Sequence, residues 1–233
     1  MDAAQGPGMQ KQTCNHREIS LGEVSLHLRA DGSLFIPQDS ILIVSDLHLG
    51  KDAAFRAAGI PVPAGINRDL LRQLTRSVET ADCSHLIFLG DLIHNRNSLT
   101  PSVIDEMGNW RKQHKDLDVT LVLGNHDRHV RGFPASWKLK TCRSYQVDAL
   151  TLVHDPATGK AQNTAPFICG HLHPAVQTGV AADRMKLRCF AQYPDHLVVP
   201  AFGPFKGGMT LSTRKMIDCF AIAENQIWSV KQR

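Results

Sequence analysis

Two rhythms of apolar and polar positions divide this chain, and the change between them predicts its fold. Residues 24–29 alternate apolar with polar, Asp31-Gly32 supplies a hairpin turn, and residues 34–36 return, which predicts an antiparallel opening. The runs ILIV (41–44), HLIFL (85–89) and VTLVL (119–123) are near-continuously apolar, as expected of strands covered on both faces. Between them, residues 67–81 place Leu70, Leu71, Leu74 and Val78 at helical spacing. Thr100-Pro101 offers an N-cap and an N1 proline to a second helix running to about His114. Strand, helix, strand, helix, strand implies parallel pairing through right-handed crossovers.

After Gly132 the runs shorten: 146–153, 167–169, 175–180, 186–193, 196–199, 216–223 and 226–230 read as strands, separated by turn signals such as DPATG, PDH and FGPFKGG. They predict a second, largely antiparallel or mixed sheet. Packed on the first, with helices outside, it gives an α/β fold in four layers, an α/β/β/α sandwich. Residues 1–15 are rich in Gly, Gln and Ala without periodicity and are expected to be disordered, with regular structure starting near Glu18 inside a single domain over 16–233.

Composition adds little against this. With 233 residues and 42% hydrophobic content the chain can bury one sizeable core. A formal charge of +4 is compatible with an anionic substrate such as nucleic acid without requiring one. The six cysteines are scattered and form no CxxC pair, so buried reduced thiols are expected. The first residues lack an apolar h-region and no later segment approaches a membrane span, which implies a cytoplasmic protein with no membrane partner.

Candidate chemistry is confined to five clusters: SDLHLG, GDLIH, GNHD, VHDP and GHLH. They supply Asp46, His48, Asp91, Asn125, His126, His154, His171 and His173, and most follow an apolar run directly. In open α/β sheets, ligands bind beyond the carboxyl ends of parallel strands, where loops from several strands converge. Carboxylate, amide oxygen and imidazole without thiolate suit Mn²⁺, Fe²⁺ or Zn²⁺ better than Mg²⁺ or Ca²⁺. Two such ions about 3.5–4 Å apart, bridged by a carboxylate for which Asp91 is the natural choice, would hold a hydroxide for attack on a phosphodiester.

The ordered set DxH, GD, GNHD, a lone His and GHxH resembles the calcineurin-like metallophosphoesterase superfamily over residues 46–173. The resemblance implies one metal held by Asp46, His48, Asp91 and His173, and a second by Asp91, Asn125, His154 and His171. It makes His126 a catalytic group that protonates the leaving oxygen or contacts the scissile phosphate, with His94 orienting it. GDLIHN departs from the GDxxDR of the phosphoprotein phosphatases. The stretches HLGKDAAFRAAGIPVPAG, FLGDLIHN and PAFGPFKGG are similar to the bacterial ligase-associated DNA-damage-response phosphoesterases, which implies a DNA endonuclease or other nuclease in DNA repair, with a ligase or helicase system as partner. A nucleotide phosphodiesterase or pyrophosphohydrolase uses the same metal core, and a scaffold that has lost activity is the remaining alternative. Arg128 is the best candidate for a phosphate contact, ahead of Lys51 and Arg56, while Phe202 and Phe205 are expected to pack the sheet edge. The remaining histidines, His16, His27, His85, His114, His129 and His196, are expected at surface or core positions.

Overall fold

The apolar runs lie side by side in one sheet. The computed structural model describes residues 15–63, 65–162, 166–179, 184–203 and 208–230; nearly all of the N-terminal stretch expected to be disordered, residues 1–14, lies outside these. Strands β1 (His16–Leu21), β2 (Val24–Arg29), β3 (Leu34–Ile36), β4 (Ile41–Val44), β5 (His85–Leu89), β6 (Asp118–Val122) and β7 (Lys140–Cys142) follow one another in space as in sequence. The first four pair antiparallel and the last four parallel. Helix α1 (Lys51–Ala57) and helix α2 (Ile66–Ala81) connect β4 to β5, and helix α3 (Pro101–Gln113) connects β5 to β6. Thr100 caps α3 as expected, accepting from the Val103 amide at 3.4 Å.

The second sheet is mixed. It contains β8 (Tyr145–Val147), β9 (Leu150–Leu152), β10 (Phe167–Cys169), β11 (Pro174–Thr178), β12 (Met185–Gln192), β13 (His196–Val198), β14 (Met209–Thr210), β15 (Asp218–Ala223) and β16 (Gln226–Ser229). The strand predicted over 146–153 is instead a hairpin: Val147 pairs with Leu150, and Asp148 turns the chain at φ 48°. Apolar content runs through that turn, and aspartate tolerates the left-handed region well enough to need no glycine signal. The DPATG turn opens helix α4 (Pro156–Ala161) instead, with the Asp155 carboxylate capping the Ala157 amide at 2.8 Å. Asp-Pro is as good a cap and first turn as it is a loop.

Alternation along each strand sorts the core into layers. Ile41, Ile43, Ile87 and Leu89 face inward with Leu152, Ile168, Leu197 and Phe220 of the second sheet, while Leu42, Val44, Leu86 and Phe88 face outward onto α2 and α3 through Leu70, Leu74, Met107 and Trp110. The outer face of the second sheet buries Val153, Phe167, Cys169, Cys189 and Val198. Its helical cover is thin, since α4 is its one α-helix among the described residues and comes so close that a Cβ on Gly159 would lie 2.6 Å from the Phe167 ring.

Candidate metal centre

The carboxyl ends of β4, β5, β6, β9 and β10 bring the sequence clusters to one edge of the sandwich. Asp46, Asp91, His154 and His171 follow those strands by two residues, and Asn125 follows β6 by three. The backbone there is unusual. Asp46 (φ 55°), His48 (48°), Asp91 (49°), His171 (67°) and His173 (44°) all occupy the left-handed region. Non-glycine residues reach it at a cost, and such residues gather where packing forces side chains into a required direction.

The side chains form two triads. The ligating atoms of Asp46, His48 and His173 lie within 4.8 Å of one another, and so do those of Asp91, His154 and His171. His48 and His173 present their Nε2 atoms 3.4 Å apart. His173 Nε2 stands 3.2 Å from Asp46 Oδ1. In the other triad His171 Nδ1 lies 3.2 Å from His154 Nε2, which is also 3.2 Å from Asn125 Oδ1 and 3.4 Å from Asp91 Oδ2. The triads meet at that same His154 nitrogen, 4.0 Å from Asp46 Oδ1. His154 donates from Nδ1 to the Leu89 carbonyl at 2.9 Å, which fixes its tautomer and aims Nε2 into the centre.

Three glycines make this convergence possible. Gly90, Gly124 and Gly170 each precede a candidate ligand, and each leaves room for a group from another cluster. A Cβ on Gly90 would lie 2.1 Å from His154 Nδ1, on Gly124 2.2 Å from Asp91 Oδ1, and on Gly170 1.9 Å from Ser45 Oγ and 2.8 Å from Asp46 Oδ2. The motif glycines therefore interlock the clusters.

The electrostatics ask for a cation. Burial works against charge on Asp46, yet His173, His154 and the Ser45 hydroxyl hold its pKa below the usual carboxylate value. Asp91 is likewise penalised by burial but falls to about 2 through His154 and the His126 amide. Burial works to lower His154, and the hydrogen bond and charges of Asp91 and Asp46 overcome it, raising the imidazole to about 9. A proton on His154 thus holds the place that a metal would compete for. Asp46 Oδ1 is a buried acceptor that takes no well-aligned hydrogen bond, whereas Oδ2 accepts from Ser45 Oγ at 2.6 Å and the His171 amide at 3.1 Å. An oxygen that no backbone amide takes and that faces imidazole nitrogens fits a divalent metal. Burial pushes the neighbouring Cys169 thiol up, and it belongs to neither triad.

Residues 40–197 match the sequence model of the calcineurin-like phosphoesterases. The chain belongs to that family. It is therefore a metal-dependent phosphoesterase, of a family that uses divalent metals. A search of curated proteins finds no match. Among solved structures, this phosphoesterase is similar to a Pseudomonas putida nuclease named MPE, at 29% identity and TM-score 0.78 over 93% of this chain and 100% of that one. It is more distantly similar to Yfce, a phosphoesterase from E. coli, at 18% identity and TM-score 0.40 over 78% of this chain and 99% of that one.

Around the phosphoesterase centre, His126 donates its amide to Asp91 Oδ1 at 3.0 Å and sets Nδ1 against the His94 carbonyl, leaving Nε2 facing the site 3.8 Å from Asp91 Oδ2. The His94 ring stacks on His126 at 5.6 Å and 21°, so His94 reaches it through both backbone and ring. Arg128 is exposed beside them. Arg56 is tied to Asp52 at 2.7 Å, and Lys51 lies over the Phe55 ring. Phe202 is fully buried in the core cluster under α2 and α3, a packing role as expected, while Phe205 lies outside the described residues. His196 packs between Phe167 and Tyr193, and His85 and His114 bond to Thr120 and Thr75. His16 and His27 flank Glu18 on the surface, and His129 is exposed. The five described cysteines are free, three of them buried. Among the described residues no helix is long and apolar enough to cross a membrane. Sequence reasoning missed Ser45, which orients Asp46, and Asp127, whose buried carboxylate accepts the Gly124 amide at 3.0 Å and the Ile93 amide at 3.3 Å. Their signal was adjacency alone, since both sit inside the SDLHLG and GNHD clusters.

Proposed function

We propose that this phosphoesterase is a dinuclear phosphodiesterase that cleaves DNA, in the cytoplasm and in the setting of bacterial DNA repair with a ligase or helicase as partner. The observation that carries the reading is a groove of about 800 Å³ that begins at Asp127 and is lined by Arg128, Arg131 and Arg143. All three arginines are exposed, and the single carboxylate among the described lining residues, Asp127, is buried and engaged by backbone amides. Like charges gathered in one groove repel, which a bound polyanionic chain would offset, and Arg128 lies two residues from His126 of the GNHD loop. The likeness over 93% of the chain to a protein solved as a nuclease supports a nucleic-acid substrate.

In this reading Asp46, His48, Asp91 and His173 hold one cation, and Asp91, Asn125, His154 and His171 hold the second. Two divalent ions held there, Mn²⁺ by the mixed oxygen and imidazole donors with Fe²⁺ or Zn²⁺ as substitutes, would supply Lewis acidity and lower the pKa of water. The chain's own residues do the rest. Arg128 and the groove hold phosphates, and His126, fixed by the His94 carbonyl and ring, carries a proton on Nε2 to the leaving oxygen. Asp127 keeps the GNHD loop in place.

Salt separates the readings. With metal-loaded protein, kcat/KM on DNA should fall steeply between roughly 50 and 200 mM salt, and Arg131→Gln or Arg143→Gln should each flatten the log–log slope by about 0.7–0.9. Hydrolysis of bis-nitrophenyl phosphate should barely respond to salt. Fast turnover of a nucleotide or cyclic diester with no cleavage of any DNA would replace the nuclease with a small-molecule phosphodiesterase.

A further inference from the structure

On another side of the centre, between α1 and α2, lies a pocket of about 310 Å³ whose lining is largely apolar, with Leu47, Phe55, Val62, Ile66 and Leu70. Its lining includes His48, whose Nε2 is 3.4 Å from that of His173, so the pocket adjoins the metal centre. The Phe55 ring stands 6.5 Å from that of His94, which stacks on His126, so an aromatic row leads from the pocket to the proton donor. Lys51 places its ammonium 5.5 Å from the Phe55 ring, a cation at the same spot. The pocket is braced: Asn67 Oδ1 accepts the Gly50 amide and Nδ2 donates to Asp52 Oδ1, both at 3.0 Å, which ties α1 to α2. Gln73, the other amide in the lining, donates to the Asp31 carbonyl at 3.2 Å.

We propose that this pocket holds one unpaired nucleobase of the substrate, that of a nucleotide beside the scissile phosphate, with its face on Phe55 and its phosphate toward Lys51. The volume sits at the lower end for ligand pockets and suits a planar ring rather than a whole nucleotide. Asn67 is engaged at both ends and Gln73 at its amino group, and stacking on Phe55 needs no particular base, as in sequence-neutral single-strand binders. A base inside a duplex is unavailable for this, so the enzyme cleaves single-stranded or locally unpaired DNA in preference to intact duplex. The proposal rests on the nuclease reading above and deepens it.

The test uses the full-length metal-loaded protein and a short single-stranded oligonucleotide carrying one abasic site, moved through each position in turn. At one position the abasic site should raise KM roughly 5- to 150-fold, the equivalent of about 1–3 kcal/mol for a stacked base. Phe55→Ala and the pocket-filling Val62→Arg should raise KM on the intact oligonucleotide by a similar factor. Phe55 belongs to none of the three buried clusters, and the abasic series needs no substitution at all. Cleavage of DNA with no sensitive position and an unchanged KM in both variants would overturn the pocket while leaving the nuclease standing, as would equal cleavage of duplex and single strand. Absence of any DNA cleavage would remove the nuclease reading, and the base pocket with it.

Discussion

Replacing Gly170 with alanine should destabilise this phosphoesterase far more than one methyl group suggests. The φ of Gly170 is not in the left-handed region, so the substitution brings no backbone strain there, but it sets a Cβ 1.9 Å from Ser45 Oγ and 2.8 Å from Asp46 Oδ2, the second contact persisting when Ser45 is alanine. Ordinary carbon–oxygen contacts begin near about 3.3 Å, so the hydroxyl must swing by more than an ångström. It then loses its 2.6 Å bond to Asp46 Oδ2 and its 3.0 Å bond to the Leu89 carbonyl. Overpacking costs about 1–3 kcal/mol, and a hydrogen bond to a charged group is worth about 1.5–3 kcal/mol. A loss of about 2.5–6 kcal/mol follows, or a Tm lower by roughly 5–24 °C for a chain of this size. Ser45→Ala alone should lose the hydrogen bond but open space, leaving 3.1 Å to its Cβ as the nearest contact on that residue. The double variant should therefore be about 1–3 kcal/mol more stable than the sum of the two single losses. Urea unfolding of protein stripped of metal by a chelator measures the cycle without metal linkage. Single losses that add within about 0.5 kcal/mol would refute the claim that Gly170 exists to admit the Ser45 hydroxyl.

Asp91→Asn should abolish turnover and lower the metal content measured by elemental analysis, since it removes the carboxylate assigned to both cations; near wild-type activity with two metals bound would sink that assignment. His126→Ala should retain metal yet lose about 10²–10⁴ in rate on esters with poor leaving groups, and much less on activated nitrophenyl esters. An equal loss on both would make His126 a binding group. Burial lowers the pKa of His85, His114 and His196 below 6.5, only partly opposed by Asp118, Glu79 and Asp195 respectively. These three therefore oppose folding as pH falls through about 6.5, while His154, raised to about 9, and Asp127, raised to about 6, favour it over the same range. Relative to the parent, His196→Gln should gain urea stability at pH 5.5 compared with pH 7.5.

By itself the sequence determined the two sheets and the chemistry. Continuous apolar runs can be satisfied only by strands buried on both faces, and the donors at their ends have no other residue types with which to be confused. It also determined both long helices, because Leu70, Leu74 and Val78, or Thr100 with Pro101, act over a few residues. Tertiary structure decided what depends on approach between distant segments. The sequence holds nothing at Asp148 to divide a strand, and nothing at Ser45 or Asp127 to say which oxygen meets which amide. Nor does it say that His154 Nε2 stands between Asp46 and Asp91, or that α1 and α2 enclose a pocket beside His48. Periodicity records which face of an element is buried, but a metal centre is built from the distances between five strand ends, and those are set only when the two sheets pack.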